Sequence, residues 1–240
     1  MKAPVTLRVI KPQQCVFAFG IPSSPEAFAE SKAAVGDYYA QGYDDWDHYN
    51  FAFGRNARKA QRNAVKLGVN VRSYVSCQEF AELLSGAFDV IILFSHWSGT
   101  AIEFKGGFGT ATQVVNSVAN PELDDFVDLA VCQSRDFGQQ LKRRFPRCVV
   151  SLGDRNLSPN LWLDYYLTLF EWLKNNDSCY LDAVRENLKR FTRTSWMSRV
   201  RSGVAKNLKS SRELGLKPLG PTGGGHDDTN PGPEPTRTPE

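Results

Sequence analysis

Short apolar runs, separated by segments with helical periodicity, organise most of the chain. The clearest run is residues 89–94, DVIILF, which is apolar on both faces. A central parallel strand has this composition when helices cover both sides of its sheet. Other runs are rich in strand formers or alternate with period two, and both patterns favour strands. The five predicted strands are Cys15–Phe19, Val69–Ser76, Asp89–Phe94, Phe126–Val131 and Cys148–Leu152.

The segments between these runs carry apolar residues at helical spacing. One such pattern stops at Gly68, a residue type that commonly follows a helix. Strands that alternate with helices predict an α/β fold in which helices flank both faces of a mostly parallel sheet. The predicted helices are Asn56–Leu67, Glu79–Leu84, Ala111–Val118, Arg135–Phe145, Pro159–Asn175 and Ser178–Arg193.

The C-terminal segment differs in composition from the rest. Of the 24 residues from Lys217 to Glu240, 11 are Pro or Gly and none is aromatic. Such a segment buries too little apolar area to offset the entropy lost on ordering. We therefore predict one domain over residues 1–215 and a disordered tail over residues 216–240.

Charge is distributed unevenly along the 240 residues. Arg185–Arg212 contains nine Lys or Arg and one Glu, whereas the whole chain has a formal charge of +3. The remaining residues are therefore mildly acidic. A basic stretch could bind nucleic acid or the acidic face of a partner, but it is more often a solvated helix face. A nucleic-acid partner is not expected.

The sequence favours a cytoplasmic protein with no membrane segment. Its longest apolar runs fall far short of the about 20 residues that cross a bilayer, and charged residues interrupt its N-terminal region where a signal peptide would be apolar. An odd number of cysteines without paired spacing argues against a disulfide framework and against a four-cysteine zinc site. No metal and no cofactor are expected. The cysteines are Cys15, Cys77, Cys132, Cys148 and Cys179.

Two residues with catalytic chemistry follow two of the predicted strands. His96 comes after the strand Asp89–Phe94, and Cys132 comes directly after Phe126–Val131. Ligands of open parallel sheets bind outside the carboxyl ends of the strands, so both side chains are expected at one edge of the sheet. An imidazole beside a thiol favours the thiolate, which attacks carbonyl carbon atoms. The start of the helix at Arg135 would favour the anion further.

Both segments resemble those of a known peptidase group. Residues 94–99, FSHWSG, resemble the His segment of caspase-like cysteine peptidases, and their His-x-Ser-Gly portion is similar to separase. Residues 129–134, LAVCQS, resemble the Cys segment of CHAT domains, and the likeness extends over about Cys15–Phe191. The resemblance implies a caspase-like three-layer fold and a cysteine endopeptidase that cuts a protein substrate. In it His96 would be the general base and acid and Cys132 the nucleophile.

Backbone amides beside the two residues form the oxyanion hole in that group, which implies an oxyanion or substrate-binding role for Trp97, Ser98 and Gly99. The group usually has Gly directly after the His, where this chain has Trp97. Glycine has a conformational freedom that Trp lacks, so the donor on this side could be displaced. An activating protein partner and a role in prokaryotic regulation or defence are further implications of the resemblance.

Other readings of the sequence remain open. A caspase-like binding or adaptor module without catalysis would account for Trp97, and strand order alone does not separate this fold from a nucleotide-binding flavodoxin-like or TIR-like domain. Gly107–Gly109 resembles part of a dinucleotide fingerprint, but a glycine-rich hairpin fits it better because Thr112 stands where Gly or Ala is required. The acidic residues 44–48 could hold a metal or a basic side chain, but a solvated loop is the simpler expectation.

Overall fold

The structure, a computed structural model, describes residues 5–35, 43–86, 88–119, 122–152 and 159–194. The predicted tail and most of the basic stretch Arg185–Arg212 lie outside these ranges, as does the boundary at residue 215. The division into a domain and a tail therefore stays a prediction.

The centre of the fold is a five-stranded sheet in which all neighbours pair in parallel. The strand order is β2-β1-β3-β6-β7. Every residue of the three inner strands is buried. The strands of this sheet are β1 (Cys15–Phe19), β2 (Asn70–Arg72), β3 (Val90–Phe94), β6 (Phe126–Ala130) and β7 (Val149–Leu152).

Helices cover both faces of the sheet and give the fold three layers. One core cluster joins one face of the sheet to α1–α3, α7 and α8, and the other joins the opposite face to α4–α6. The mostly parallel α/β architecture predicted from the sequence is confirmed. The helices are α1 (Pro25–Val35), α2 (Trp46–Tyr49), α3 (Arg55–Lys66), α4 (Cys77–Leu84), α5 (Ala111–Ser117), α6 (Arg135–Arg144), α7 (Pro159–Asn175) and α8 (Tyr180–Thr194).

The strand predicted over Val69–Ser76 is shorter in the structure, where β2 covers only Asn70–Arg72. Tyr74 has a φ of 51°, a left-handed conformation that turns the chain out of the strand. Ser76 then begins α4 through a capping box, because its hydroxyl accepts from the Glu79 N–H and the Glu79 carboxylate accepts from the Ser76 N–H. Helix α4 thus starts before the predicted Glu79.

The prediction of an acidic loop at residues 44–48 is wrong in part. Asp45 accepts a hydrogen bond from the His48 N–H at 2.8 Å and caps α2. The chain continues through a π-helical segment, Asn50–Gly54, into α3 without leaving the helical region. The α3 helix predicted from Asn56 is therefore the last part of a longer helical rod.

A largely buried ion-pair cluster holds the amino ends of the two central strands. Arg8 donates from Nη1 to Asp89 and from Nη2 to Asp124, both at 2.6 Å. Asp89 directly precedes β3, and Asp124 lies two residues before β6. Gln14 also donates to Asp89, at 2.6 Å. The contacts thus tie the N-terminal segment to the sheet edge opposite His96 and Cys132.

A small hairpin lies over the carboxyl end of β1. Its strands, β4 (Ile102–Phe104) and β5 (Gly107–Gly109), pair in antiparallel fashion, so the glycine-rich hairpin expected here is confirmed. Gly20 lies under it, and a Cβ at Gly20 would collide with the Glu103 carbonyl oxygen. This close approach requires glycine.

Candidate active site

His96 and Cys132 lie beyond the ends of neighbouring strands. β3 and β6 pair from Val90 opposite Phe126 to Phe94 opposite Ala130. Each candidate residue comes two positions after the last pair. If the pairing is extended by two residues, His96 lies opposite Cys132. Neighbouring strands in a sheet lie about 4.8 Å apart.

The alternation of side chains along β3 and β6 indicates on which face of the sheet each side chain lies. Phe94 and Ala130 belong to the core cluster under α7 and α8, whereas Val131 and Trp97 contact the opposite cluster. Alternation therefore persists just past the end of each strand. By the same period, we expect His96 and Cys132 on the α7–α8 face.

The loop after His96 is fixed by hydrogen bonds to β4. The Glu103 N–H donates to the His96 carbonyl oxygen at 3.0 Å, and the Ser98 N–H donates to the Ala101 carbonyl oxygen at 2.9 Å. These two bonds flank an antiparallel bridge between Trp97 and Ile102. In such a pair the bridged residues direct their own N–H groups away from each other. The Trp97 N–H therefore points away from β4, which lies on the β1 side, and toward the side of β6.

Trp97 itself adopts an ordinary backbone conformation. Among the non-glycine residues that the structure describes, only Tyr74 and Gln133 have positive φ angles. Position 97 thus does not require glycine, and the left-handed residue of this loop is Gly99, at φ 96°. The Trp97 side chain is half-buried and packs against the α4–α6 cluster. The concern that Trp in place of Gly strains the loop therefore has no basis in the backbone geometry.

Partial burial controls the protonation of half-buried His96. Desolvation lowers the pKa of His96 to about 4, because a charged imidazolium is disfavoured away from water. At neutral pH the ring is therefore uncharged, with one nitrogen able to accept a proton.

The chain turns sharply after Cys132 to enter α6. Gln133 has a φ of 50°, a conformation that costs energy for a residue with a side chain and recurs at functional sites. Ser134 precedes α6, but its hydroxyl donates to the Val131 carbonyl oxygen at 3.1 Å and does not cap the helix. Half-buried Cys132 thus lies three residues before the start of α6, where the helix dipole favours an anion.

The other four cysteines are less acidic than usual. Burial raises the pKa of Cys15 strongly and that of Cys148 to about 11. It also raises the pKa values of Cys77 and Cys179. At neutral pH all four are therefore thiols and weak nucleophiles.

A buried carboxyl group beside the site was not predicted. Glu103 in β4 has no exposed surface, and its Oε1 accepts a hydrogen bond from the Ser31 hydroxyl at 2.8 Å. Its carbonyl oxygen accepts from the Ser95 hydroxyl at 2.6 Å, directly before His96. Ser31 lies 72 positions away in sequence, so no local pattern could have signalled this contact. Glu103 links α1, β4 and the end of β3.

Within the described ranges, no three or more His, Cys, Asp or Glu side chains cluster closely enough to hold a metal ion. No helix in those ranges has both the length and the hydrophobicity to cross a bilayer.

Among the solved structures similar to this fold are two of gingipain R. The first, the Arg-specific cysteine proteinase gingipain R, matches with a TM-score of 0.49 and 12% identity over 86% of this chain and 48% of its own. The second, a complex of the pro- and mature domains of RgpB from Porphyromonas gingivalis, matches with a TM-score of 0.51 and 13% identity over 86% of this chain and 49% of its own. The chain thus spans about half the length of each. No protein-family model and no curated protein matches the sequence.

The likeness to RgpB shows a shared fold, the caspase-like arrangement of a parallel sheet between helical layers. At 13% identity it shows nothing of the chemistry.

Proposed function

We propose that the protein is a cysteine endopeptidase in which Cys132 is the nucleophile and His96 moves the proton. The observation that carries the proposal is the register of β3 and β6, in which both residues lie two positions past one pair, Phe94 and Ala130. A nucleophile and its base must lie within hydrogen-bond reach during the reaction. We predict a distance of about 3–7 Å between the His96 imidazole and the Cys132 sulfur before substrate binds.

The reaction follows from these roles. Neutral His96 accepts the Cys132 proton as the sulfur attacks the scissile carbonyl carbon, and the carbonyl oxygen becomes an oxyanion. The Trp97 N–H, directed toward β6, would donate to that oxyanion, with Ser98 and Gly99 shaping the loop. The imidazolium then protonates the leaving amine. Water, deprotonated by His96, hydrolyses the thioester and releases the acid product, which restores the thiol.

The low pKa of His96 determines the charge of this residue before substrate binds. A ring with a pKa of about 4 is neutral at pH 7, so His96 carries no positive charge that would hold Cys132 as a thiolate before substrate binds. The thiolate–imidazolium pair would form only as the reaction begins, when a substrate closes the site and approaches the Cys132 sulfur. This favours a protein that gains activity on binding a substrate or an activating partner.

Cleavage of a peptide library tests the proposal. We expect the full chain to cut peptides from a tryptic digest of bacterial protein, read by mass spectrometry, and Cys132→Ala to abolish every cut. Loss of one sulfur at a strand end leaves only a small cavity, so the variant should keep its circular dichroism spectrum.

Cys77→Ala is the matched control, since it removes another half-buried thiol. Cuts that persist in Cys132→Ala and disappear in Cys77→Ala would overturn the assignment of the nucleophile.

The finer part of the proposal is a caspase-type or CHAT-type enzyme that acts on a protein substrate in the cytoplasm, in prokaryotic regulation or defence. Its support is the resemblance of residues 94–99 and 129–134, together with five cysteines that are all thiols in the structure.

A second candidate is a caspase-like binding module. Its support is Trp97, a large side chain at a position that is usually Gly in the resembling group. A binding module would retain the fold and a partner-binding surface, and Cys132 would then react no faster than Cys77 or Cys179.

A further inference from the structure

A row of cations covers the outer side of α3. Exposed Lys or Arg side chains recur there at positions i, i+4, i+7 and i+11, a spacing that places them on one face of a helix. No Asp or Glu occurs over residues 50–68, and the opposite side of α3 is buried in the core. The four residues, which we call the basic face, are Arg55, Lys59, Arg62 and Lys66.

The charge of the basic face is largely uncompensated. Within the ranges that the structure describes, none of its four members forms an ion pair. Asp164 of α7 interacts with one of them: burial raises the pKa of that carboxyl, and the charge of Lys59 opposes the rise. Arg62 and Lys66 are like charges four residues apart, a spacing that destabilises a helix. An acidic partner would relieve this repulsion.

An exposed aromatic ring lies at the N-terminal end of the basic face. Phe51 is 75% exposed, and the centre of its ring lies 5.8 Å from the guanidinium carbon of Arg55. Just before it in the chain stand three exposed acidic residues, Asp44, Asp45 and Asp47. At this end the surface therefore favours an apolar group over an anion.

Helix α3 begins at the edge of the sheet that carries the candidate site. The ring of Phe53, just before α3, stacks on that of Phe94 with centroids 5.7 Å apart, and Phe94 lies two residues before His96. Beyond the other end of α3, the side-chain amide of Asn70 donates to the Gln13 carbonyl oxygen at 3.0 Å, before β1 begins. The helix therefore runs antiparallel to the strands, on the same face of the sheet as α7 and α8.

A nucleic acid fits this surface less well than a polypeptide does. A phosphate backbone brings a negative charge with every nucleotide, including at the end where Asp44, Asp45 and Asp47 lie. A polypeptide can place an apolar side chain at that end and carboxylates along the rest. Arg55 and Lys66 are separated by about 16–17 Å along the helix, at 1.5 Å per residue. An extended segment of about five residues covers this length.

We propose that the basic face and Phe51 bind an acidic segment of the protein substrate, at a distance from the bond that is cut. Carboxylates of the segment lie along α3, and an apolar side chain lies against Phe51. The inference rests on the proposed function, because the N-terminal end of α3 lies at the sheet edge of the candidate site. It names the substrate class as a protein that carries, on one side of the cleaved bond, an apolar residue and then a run of Asp or Glu.

Binding to the inactive full chain tests the basic face without cleavage. The probes are fluorescein-labelled peptides in a Gly-Ser background. The first has one Phe followed by four Glu at alternate positions, and the second has Lys in place of each Glu. Fluorescence anisotropy with the Cys132→Ala protein should show tighter binding of the first peptide, and salt should weaken it. Equal binding of both peptides would overturn the proposal.

The decisive variant is Arg62→Glu/Lys66→Glu in the Cys132→Ala background. It should weaken binding of the first peptide about five- to tenfold and tighten binding of the Lys peptide. Acidic residues near a helix C-terminus oppose the dipole. If this variant folds poorly, Arg62→Gln/Lys66→Gln provides a second one, with an expected loss of about threefold.

Phe51→Ser tests the apolar end of the surface. It should weaken binding of the first peptide about threefold. Binding of a third peptide, in which Ser replaces the Phe, should not change. Equal losses for the first and third peptides would contradict a contact between Phe51 and an apolar side chain of the substrate.

Arg143→Glu/Arg144→Glu is the matched control, since it makes the same charge change at the exposed C-terminal end of α6, on the opposite face of the sheet. An equal effect in this control would overturn the basic face as the binding surface. Tighter binding of a single-stranded oligothymidylate, or of phosphatidylserine vesicles, would also overturn the proposal if Arg62→Glu/Lys66→Glu removes it.

Cleavage separates this inference from the proposed function. Joining the acidic segment to a peptide that the wild-type chain cuts should lower KM without changing kcat, and Arg62→Glu/Lys66→Glu should remove the gain. Cleavage that depends on Cys132 but is indifferent to the acidic segment would overturn the inference and leave the peptidase standing. Binding that depends on the basic face, without any cleavage, would remove the peptidase and leave a surface for acidic polypeptides.

Discussion

At the scale of single residues, Cys132 differs from the other cysteines in its surroundings. It is half-buried, follows a central strand and precedes the N-terminus of α6. Burial raises the pKa values of the other four thiols, most strongly for Cys15 and Cys148.

This contrast predicts the order of chemical labelling. Iodoacetamide at pH 7.5 should modify Cys132 ahead of the other four cysteines, and His96→Ala should slow that reaction because the thiol loses its base. Peptide mapping by mass spectrometry after timed quenching measures each site.

Cys77 and Cys179 provide the internal reference, since both are half-buried. Labelling of Cys132 no faster than these two would favour the binding module over the enzyme.

The pKa of His96 predicts a dependence of stability on pH. In the unfolded chain the ring titrates near 6.5, and in the folded protein near 4. Between these values the unfolded state binds more protons, so the native state loses up to about 3 kcal/mol as pH falls through this window. His96→Gln, which cannot be protonated, should therefore gain stability relative to the wild type at pH 4.5 but not at pH 7.5.

Urea midpoints of the two proteins at both pH values measure the effect. A constant difference between them would contradict a His96 that stays neutral in the folded protein down to about pH 4.

The sequence could place His96 and Cys132 beyond one edge of the sheet because each follows an apolar strand, and strand ends of a parallel sheet converge on one edge. It could not identify Glu103, whose partner Ser31 is distant in sequence, or the left-handed Gln133, since no local pattern requires that conformation.

At the scale of elements, the hairpin over β1 depends on one glycine. A methyl group at Gly20 would collide with the Glu103 carbonyl oxygen and lie 2.7 Å from Ser95 Oγ. Gly20→Ala should therefore push β4 away from the end of β3, cost about 1–3 kcal/mol and reduce any cleavage through the loop that follows His96.

Thermal unfolding and cleavage measure the two effects. Gly86→Ala is the matched control, because a methyl group there would meet backbone oxygens at 3.3 and 3.4 Å. Equal losses in both variants would contradict a special role for Gly20.

The ion-pair cluster of Arg8, Asp89 and Asp124, at the amino ends of β3 and β6, predicts a larger loss of stability. Arg8→Met would leave Asp89 and Asp124, both largely buried, without the guanidinium that bridges them. Breaking a buried pair in this way costs about 3 kcal/mol or more, which the urea midpoint would report.

Arg147→Met removes an exposed arginine that also contacts Asp124, at 3.7 Å. It should cost less than about 1 kcal/mol. A similar loss for both variants would contradict the bridging role of Arg8.

The inner strands and α7 could be predicted closely, because the sequence of each has a strongly apolar pattern. Pro159–Asn175 has the predicted bounds. The sequence pattern does not predict α1 and α2, because Pro22 and Pro25 favour a turn where α1 begins and an acidic cluster favours a loop where α2 lies. Pro25 is in fact the first residue of α1, a position that proline favours.

At the scale of the whole molecule, the sequence determined the fold class but not the strand order. Alternating strands and helices require a parallel sheet, but which strands pair depends on contacts between distant segments. Phe17 in β1, for example, pairs with both Val71 and Ile92.

The predicted tail leads to one test on the complete chain. Truncation before Pro218 should leave the melting temperature nearly unchanged, because a segment rich in Pro and Gly has few apolar side chains to contribute. Differential scanning calorimetry of both lengths measures this, and a fall of many degrees would show that residues 218–240 stabilise the domain.

The strand order also determines which strand stays exposed while the chain is being synthesised on the ribosome. β1 needs β3 as a neighbour, yet Cys15 pairs with Val90 across 75 residues of sequence. Until β3 has been synthesised, the nascent chain presents CVFAF with one open edge and with apolar side chains on both faces. Such segments invite association between chains. Early synthesis is therefore the stage at which this protein would depend most on chaperones.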